Sequence, residues 1–231
     1  MYKRQYKNGQ WGAKYLRSSK IFNRILQKAS HKVLPLSQIV DLKYGIKSGT
    51  NDFFDVIDKT ADALALDEKK YVAIFGTSKK AHIKTWKKYA YCYSKMNKKH
   101  YKIERNYLKP LFKTQREAVN LAVDIEKVQY QVLMCSHSKD EMKRRNLKLL
   151  KYIEAAESLG IHQKPTSQGR ITVFRNTQDA TYWYDLTKTS VVGDFNFPSK
   201  IGEKYRLIDN REALIHCDKV NYAITVKEQY K

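Results

Sequence analysis

The glycines of this 231-residue chain are widely scattered, and their spacing narrows the folds that the chain can adopt. The nine glycines form no Gly-x-Gly pair and no Walker-type loop. Dinucleotide and P-loop folds need closely spaced glycines, because backbone amides must approach a phosphate or a cofactor. The four prolines never adjoin one another, so the Asn-Pro-Pro-Tyr tetrapeptide of amino-methylating enzymes is absent as well. We therefore expect no cofactor site and no catalytic residues in this chain.

The charge of the chain points to a polyanionic partner. Lys and Arg number 45 against 23 Asp and Glu, which gives a formal net charge of +22. Hydrophobic residues make up 42% of the sequence and aromatic residues 12%, enough to bury a sizeable core. This composition excludes a disordered basic tail and favours a folded protein that binds nucleic acid.

The three cysteines, Cys92, Cys135 and Cys217, stand far apart in the sequence. This spacing predicts no metal knuckle and no redox pair, so we interpret each as a small buried apolar residue. The N-terminal sequence has no apolar signal region, and nowhere do eighteen apolar residues run together. We expect a cytoplasmic protein with no metal and no membrane segment.

Hydrophobic periodicity predicts an α+β fold: a mixed helix and strand N-terminal part, a long central helix and a β-rich C-terminal part. An apolar stripe over 21–29 predicts a docked helix. Residues 34–57 predict a strand, a glycine-bearing turn and a return strand, followed by an acidic loop over 58–68 and a buried strand over 69–76. Ser138 with Glu141 forms a capping-box pattern that opens a helix ending at Gly160.

The same patterns suggest three regions. Residues 1–34 are predicted to be a linker and docking helix, and residues 35–136 to be a first recognition part with a basic aromatic insert. Residues 137–231 are predicted to be a helix followed by short strands, with sequences such as RITVF, TYWYDL, KYRLI, ALIHC and NYAITV.

The basic aromatic insert, Lys79–Lys109, is the most charged part of the chain. Eleven basic residues stand against Glu104 alone, and six Trp or Tyr residues are interleaved with them. Lysines supply affinity for phosphate, and aromatic faces can stack on bases. We select Lys84, Lys87 and Lys88 as candidate nucleic-acid contacts. The alternative is that the aromatic residues belong to the core and the lysines are merely solvated.

One alternative function is a non-specific basic RNA- or DNA-binding protein that uses residues 79–109 alone. Another is a metal-dependent nuclease, because Asp55, Asp67, Glu68 and Lys70 offer clustered carboxylates and a lysine. Since Asp67 follows the sequence ALAL, we interpret residues 67–70 as a solvated surface turn instead.

Several stretches succeed one another in the order found in one protein family. They are WGAKYLR (11–17), LSQIVDLKYGIKSGTNDFF (36–54), YLKPL (107–111), KYIEAAESLGI (151–161), KPTSQGR (164–170), WYDL (183–186) and RLIDNREALIHCDKVNYAI (206–224). In this order they resemble the C-terminal target-recognition region of N6-adenine DNA methyltransferases of restriction-modification systems. The resemblance spans nearly the whole chain.

That resemblance implies a division of labour. In the family, a catalytic domain flips and methylates an adenine with S-adenosylmethionine, while the recognition region grips double-stranded DNA and reads the site. This chain is similar to the recognition half alone, since the catalytic motifs are missing. It is either a fragment of a methyltransferase or a stand-alone specificity chain with a methyltransferase partner.

The loop Gly45–Asn51, hereafter the recognition loop, is the best local candidate for contact with DNA. Its glycines allow tight turns and close approach, Lys47 supplies charge, and Ser48, Thr50 and Asn51 supply hydrogen bonds. The same residues would also serve any tight turn, in which case Asn51 holds the turn through its own side chain.

The remaining candidates for contact with DNA are Lys43 and Tyr44 before the loop, and Arg116, Lys164, Arg170 and Arg175 further along the chain. Each of the three arginines can equally form a structural ion pair.

Overall fold

The computed structural model describes residues 20–163, 182–189, 191–200 and 206–230. The chain divides into two compact units, one made of residues 1–41 with 226–231 and the other of residues 42–225. Residues 136 and 137, between which the sequence predicted a boundary, both lie inside the second unit. The candidate residues Lys164, Arg170 and Arg175 lie outside the described residues, as does the predicted strand RITVF (170–174).

The first unit contains the predicted N-terminal helix. Helix α1 (Lys20–Lys28) is followed by the short helix α2 (Leu36–Ile39), and the backbone N–H of Lys227 donates to the carbonyl of Ile39 at 2.9 Å. The apolar side chains of Ile21 and Ile25 on α1 are 67% and 56% exposed. The helix is therefore confirmed, and the docking of its apolar face stays a prediction.

In its described ranges, the second unit contains six α-helices and most residues of two sheets. The helices are α3 (Asn51–Phe54), α4 (Thr60–Ala65), α5 (Glu68–Phe75), α6 (Lys79–Lys88), α7 (Lys139–Arg144) and α8 (Leu149–Ser158). The strands are β1 (Val40–Tyr44), β2 (Asp55–Asp58), β3 (Tyr89–Ser94), β4 (Lys99–Glu104), β5 (Leu108–Phe112), β6 (Ala118–Val119), β7 (Ala122–Val123), β8 (Tyr130–Leu133), β9 (Phe195–Pro198), β10 (Ile208–Asp209), β11 (His216–Cys217) and β12 (Asn221–Val226).

Both sheets are mixed, so the α+β class predicted from the sequence is confirmed. One sheet has the order β1-β12-β9-β10-β7-β6 and the other β11-β5-β8-β2-β3-β4. In each sheet one described pair is parallel, β10 with β7 in the first and β11 with β5 in the second. The larger hydrophobic core packs α8 against the second sheet, with Phe53, Phe54 and Tyr152 completely buried.

The predicted pairing of a strand with a return strand over residues 34–57 is wrong. Strands β1 and β2 belong to different sheets, since β1 lies beside β12 whereas β2 pairs with β3 and β8. The recognition loop and helix α3 carry the chain from one sheet to the other. The residues that bond to β1 and to the recognition loop lie within 216–226, at the far end of the sequence. Local sequence patterns do not reveal such distant pairings.

Helices α4 (Thr60–Ala65) and α5 (Glu68–Phe75) occupy the stretch predicted to be a loop and a strand. Asp67 caps α5 by accepting a hydrogen bond from the N–H of Lys70 at 2.8 Å, and Gly76 ends it with a left-handed φ of 68°. Tyr71 and Phe75 are four residues apart and pack ring against ring at 4.4 Å. The β-branched and aromatic residues of this segment favour a strand, but the two caps and the Tyr71–Phe75 contact stabilise a helix.

The predicted long central helix is broken into α7 and α8. Ser138 caps α7 as the sequence predicted, but Asn146 adopts a left-handed φ of 50°. The buried carboxylate of Glu104 in β4 then accepts hydrogen bonds from the N–H groups of Lys148 and Leu149, at 2.6 and 3.1 Å. A residue of another element therefore starts α8, and Gly160 follows its end as predicted.

The predicted strands of the C-terminal part are confirmed in β10, β11 and β12, within the described ranges. The sequence TYWYDL is different, because its described residues 182–186 form a turn. Trp183 and Tyr184 are buried there, as a core position requires, although they are not in a strand.

Candidate nucleic-acid interface

The recognition loop lies directly against the C-terminal strands. The N–H of Gly45 donates to the carbonyl of Asn221 at 2.9 Å, and the N–H of Ile46 donates to that of Cys217 at 2.8 Å. A side chain at Gly45 would meet the backbone carbonyls of Cys217 and Asp218. The glycine therefore permits close approach to the chain itself, whereas Gly49, with a φ of 78°, allows the left-handed turn.

Two of the predicted contact residues in this loop have structural partners. The hydroxyl of Ser48, which is buried, donates to Oδ1 of Asn51 at 2.8 Å. The amide of Asn51 in turn donates to Oδ2 of Asp218 at 3.4 Å. These bonds match the expectation that Asn51 holds the turn. Thr50 is half-buried, and its carbonyl accepts from the N–H groups of Phe53 and Phe54.

The exposed side of the loop region is basic and aromatic. Lys43 and Lys47 are exposed, and the ammonium group of Lys47 lies 4.2 Å from the ring centre of Tyr44. Tyr44 also packs against Tyr222, whose hydroxyl donates to that of Tyr44 at 2.9 Å. One cation thus lies over an exposed tyrosine ring, a combination that suits phosphate and sugar contacts.

Beneath the loop lies a buried ion centre, formed by Asp55, Lys113 and Asp218, which the sequence analysis missed. The ammonium group of Lys113 lies 2.5 Å from Asp55 and 3.5 Å from Asp218, and both carboxylates are buried. Burial raises the pKa of Asp55, although the hydrogen bond and charge of Lys113 oppose the rise. Burial also lowers the pKa of Lys113, but Asp55 outweighs that effect and the pKa lies above its usual value.

The ion centre joins two predicted contact regions. Asp218 accepts from Asn51 of the recognition loop and pairs with Lys113, which directly precedes the turn that carries Arg116. Arg116 is exposed, and only its backbone N–H is engaged among the described residues, donating to Thr114 at 3.0 Å. The three residues of the ion centre come from distant parts of the chain, so only folding brings them together.

The basic aromatic insert separates into exposed lysines and packed rings. Lys84, Lys87 and Lys88 are exposed on α6. Trp86 of the same helix is buried, and its indole N–H donates to the hydroxyl of Tyr71 at 2.7 Å. On β3 the side chains alternate, with Tyr89, Tyr91 and Tyr93 half-buried on one face and Ala90, Cys92 and Ser94 buried on the other.

The half-buried face of β3 carries further rings and charges. Tyr91 stacks on His100 of β4 at 4.6 Å, and the ammonium group of Lys102 lies 4.8 Å from the ring centre of Tyr89. Burial lowers the pKa of His100, and nearby Lys59 lowers it further, so both effects favour the neutral imidazole. The insert therefore offers lysines to a polyanion, while its largest aromatic side chain serves the core.

Three of the residues considered for a metal-dependent nuclease form structural interactions. Asp55 belongs to the ion centre, Asp67 caps α5, and the carboxylate of Glu68 accepts from the N–H of Lys79 at 3.1 Å. Across the described ranges, no three His, Cys, Asp or Glu side chains are arranged to hold a metal ion.

Neither a protein-family model nor a curated protein sequence matches this chain. In the part of the chain that the structure describes, no helix has both the length and the apolar character that crossing a membrane requires.

Proposed function

We propose that this chain is a sequence-specific DNA target-recognition domain that serves an N6-adenine DNA methyltransferase. The ordered resemblance over 11–224 and the net charge of +22 support this function. Because the chain has neither the cofactor glycines nor the Asn-Pro-Pro-Tyr sequence, methylation with S-adenosylmethionine is assigned to a catalytic domain, in the same chain or in a partner.

The observation that carries the proposal is that the recognition loop is fixed to the protein interior on one side and exposes basic and aromatic side chains on the other. Lys43, Tyr44 and Lys47 face solvent, while Asn51 ties the loop to buried Asp218. A loop that is already ordered loses little conformational entropy on binding, and this favours a defined contact with DNA. The arrangement resembles a preformed contact surface more than a mobile basic segment.

The direct test is selection from a random library. The full chain is mixed with duplexes that carry a randomised central segment, bound DNA is sequenced, and the affinity for the enriched duplex is compared with that for a scrambled one. At physiological salt we expect a preference of about a thousandfold or more. Equal affinity for all duplexes, with the methyltransferase catalytic domain added as well as without it, would contradict specific recognition.

A second candidate function is non-specific binding of RNA or DNA through the exposed lysines of α6. The observation in its favour is that Lys84, Lys87 and Lys88 line one exposed helix beside the half-buried tyrosines of β3. Replacement of Lys43 and Lys47 by alanine discriminates the two functions. An unchanged site preference favours the second candidate, and a weakened one favours the recognition loop.

A further inference from the structure

A cavity of about 560 Å³ opens between two short turns of the second unit. The first turn is the 3-10 helix Gln115–Glu117, between β5 and β6, and the second is the 3-10 helix Ile125–Lys127, between β7 and β8. Residues of both turns line the cavity, together with Gln129 and Tyr130. Concave sites with a few convergent polar groups are the usual places of ligand binding.

Both turns are held rigidly by their own hydrogen bonds. Thr114 accepts from the N–H of Arg116, and Glu117 returns the bond by accepting from the N–H of Thr114, each at 3.0 Å. Asp124 caps the second turn by accepting from the N–H of Glu126 at 3.1 Å. The N–H of Asp124 also donates to the carbonyl of Glu117 at 3.0 Å, so the two turns are joined.

The central residues of these turns have unused side chains. Arg116 is the middle residue of the first turn and Glu126 of the second, and both are exposed. Gln129 is exposed on the same cavity. Among the described residues, none of these three side chains forms an ion pair or a hydrogen bond, whereas Oε2 of buried Glu117 accepts from the N–H groups of Lys113 and Thr114.

We propose that Arg116, Glu126 and Gln129 are the residues that read base edges in the DNA target, an inference that rests on the proposed function. A guanidinium group donates two hydrogen bonds to O6 and N7 of guanine, and a carboxylate accepts from the N4 amino group of cytosine. Arg116 and Glu126 are therefore complementary to the two bases of one G·C pair. The amide of Gln129 matches N6 and N7 of an adenine.

The surroundings of the cavity suit its position against a nucleic acid. The ammonium group of Lys95 donates to the hydroxyl of Tyr130 at 2.8 Å and is itself exposed. The ammonium group of Lys113 also lies 4.5 Å from the ring centre of Tyr130. Because Lys113 belongs to the ion centre, it connects this cavity to Asp218 and hence to the recognition loop. Nearby cations offset the repulsion between the Glu126 carboxylate and phosphates.

The test repeats the random-duplex selection with single variants of the full chain. We expect the wild-type chain to enrich a motif with a G·C and an A·T pair. Arg116→Lys keeps the charge but loses the forked geometry, so preference for guanine at one position should fall about 5- to 150-fold with an unchanged salt dependence. Gln129→Ala should relax a different position, and Glu126→Gln should weaken discrimination at the Arg116 position.

Lys127→Gln is the matched control, since Lys127 lines the same cavity but pairs with Asp124 at 3.7 Å. It should lower affinity for all duplexes about equally. Thermal unfolding followed by circular dichroism checks that each variant is folded. If the wild type enriches a motif and the Arg116, Glu126 and Gln129 variants enrich the same motif equally strictly, the inference is overturned and the proposed function stands. If the wild type enriches nothing, both fail.

Discussion

The side-chain amide of Asn51 donates a hydrogen bond to buried Asp218, 167 positions away in the sequence, at 3.4 Å. This bond fastens the recognition loop to the strand-rich C-terminal part of the same unit. Because Asp218 also pairs with Lys113, the loop and the Arg116 turn depend on one ion centre. Loss of that centre should disturb both candidate contact regions at once.

The first prediction concerns the stability of the ion centre. Lys113→Ala leaves the buried carboxylates of Asp55 and Asp218 without their cation, and breaking a buried pair in this way costs about 3 to 5 kcal/mol. Urea unfolding of the variant measures this loss. The control is Lys127→Ala, which removes an exposed pair with Asp124 and should change the free energy of unfolding by less than about 1 kcal/mol. Equal effects of the two would mean that the buried centre adds nothing.

The second prediction separates two reasons for a glycine. At Gly45 a new methyl group would clash with the carbonyl oxygens of Cys217 and Asp218. Gly45→Ala therefore requires the backbone at 217–218 to move away from the recognition loop. At Gly76 nothing lies within 4 Å, and Gly76→Ala meets only the left-handed φ of 68°, at a cost of about 1 to 2 kcal/mol. Thermal unfolding should show the larger loss for Gly45→Ala. A smaller loss than for Gly76→Ala would refute the close approach.

The third prediction concerns the thiols. All three cysteines are free and buried, and burial raises the pKa of Cys92, that of Cys135 to about 11 and that of Cys217 to about 12. An ordinary thiol has a pKa of about 8.5, so at about pH 8 the folded chain contains far less thiolate than the unfolded chain. Labelling with a disulfide reagent should be slow in buffer and fast in concentrated guanidinium chloride.

The same shifts predict how stability depends on pH. The raised pKa values favour the neutral thiols in the folded state, so this contribution is complete below about pH 8.5. Above that pH the unfolded thiols ionise first, and the free energy of unfolding should fall as pH rises. Rapid labelling of the folded chain at about pH 8 would contradict both expectations.

The fourth prediction tests the role of α6. Replacement of Lys84, Lys87 and Lys88 by glutamine removes three exposed positive charges. We expect weaker binding to every duplex, and a log–log salt dependence whose slope falls by about 0.9 for each phosphate that the variant no longer neutralises. The ranking of target sequences should stay the same, as fluorescence anisotropy with the enriched and scrambled duplexes would show. A changed ranking would place base reading on α6 instead.

Local signals predicted some elements well. Ser138 caps a helix and Gly160 follows the end of another, since these depend on neighbouring residues alone. The sequence also singled out the recognition loop and Arg116, because turn residues and isolated arginines are visible without a fold. The strand predicted at 69–76 is wrong, because a short apolar run has no clear period. Residues 68–75 form a helix that is capped by Asp67 and Gly76.

Composition and local spacing by themselves determined that this chain is folded, basic and of mixed α and β structure. The tertiary structure decided the rest. It separated β1 and β2 into different sheets, started α8 with Glu104, and gathered Asp55, Lys113 and Asp218 under the recognition loop. The physical reason is that a buried carboxylate needs a hydrogen-bond donor or a cation as partner, and the partners of Glu104, Asp55 and Asp218 lie 44 to 167 positions away. No local pattern contains such pairings.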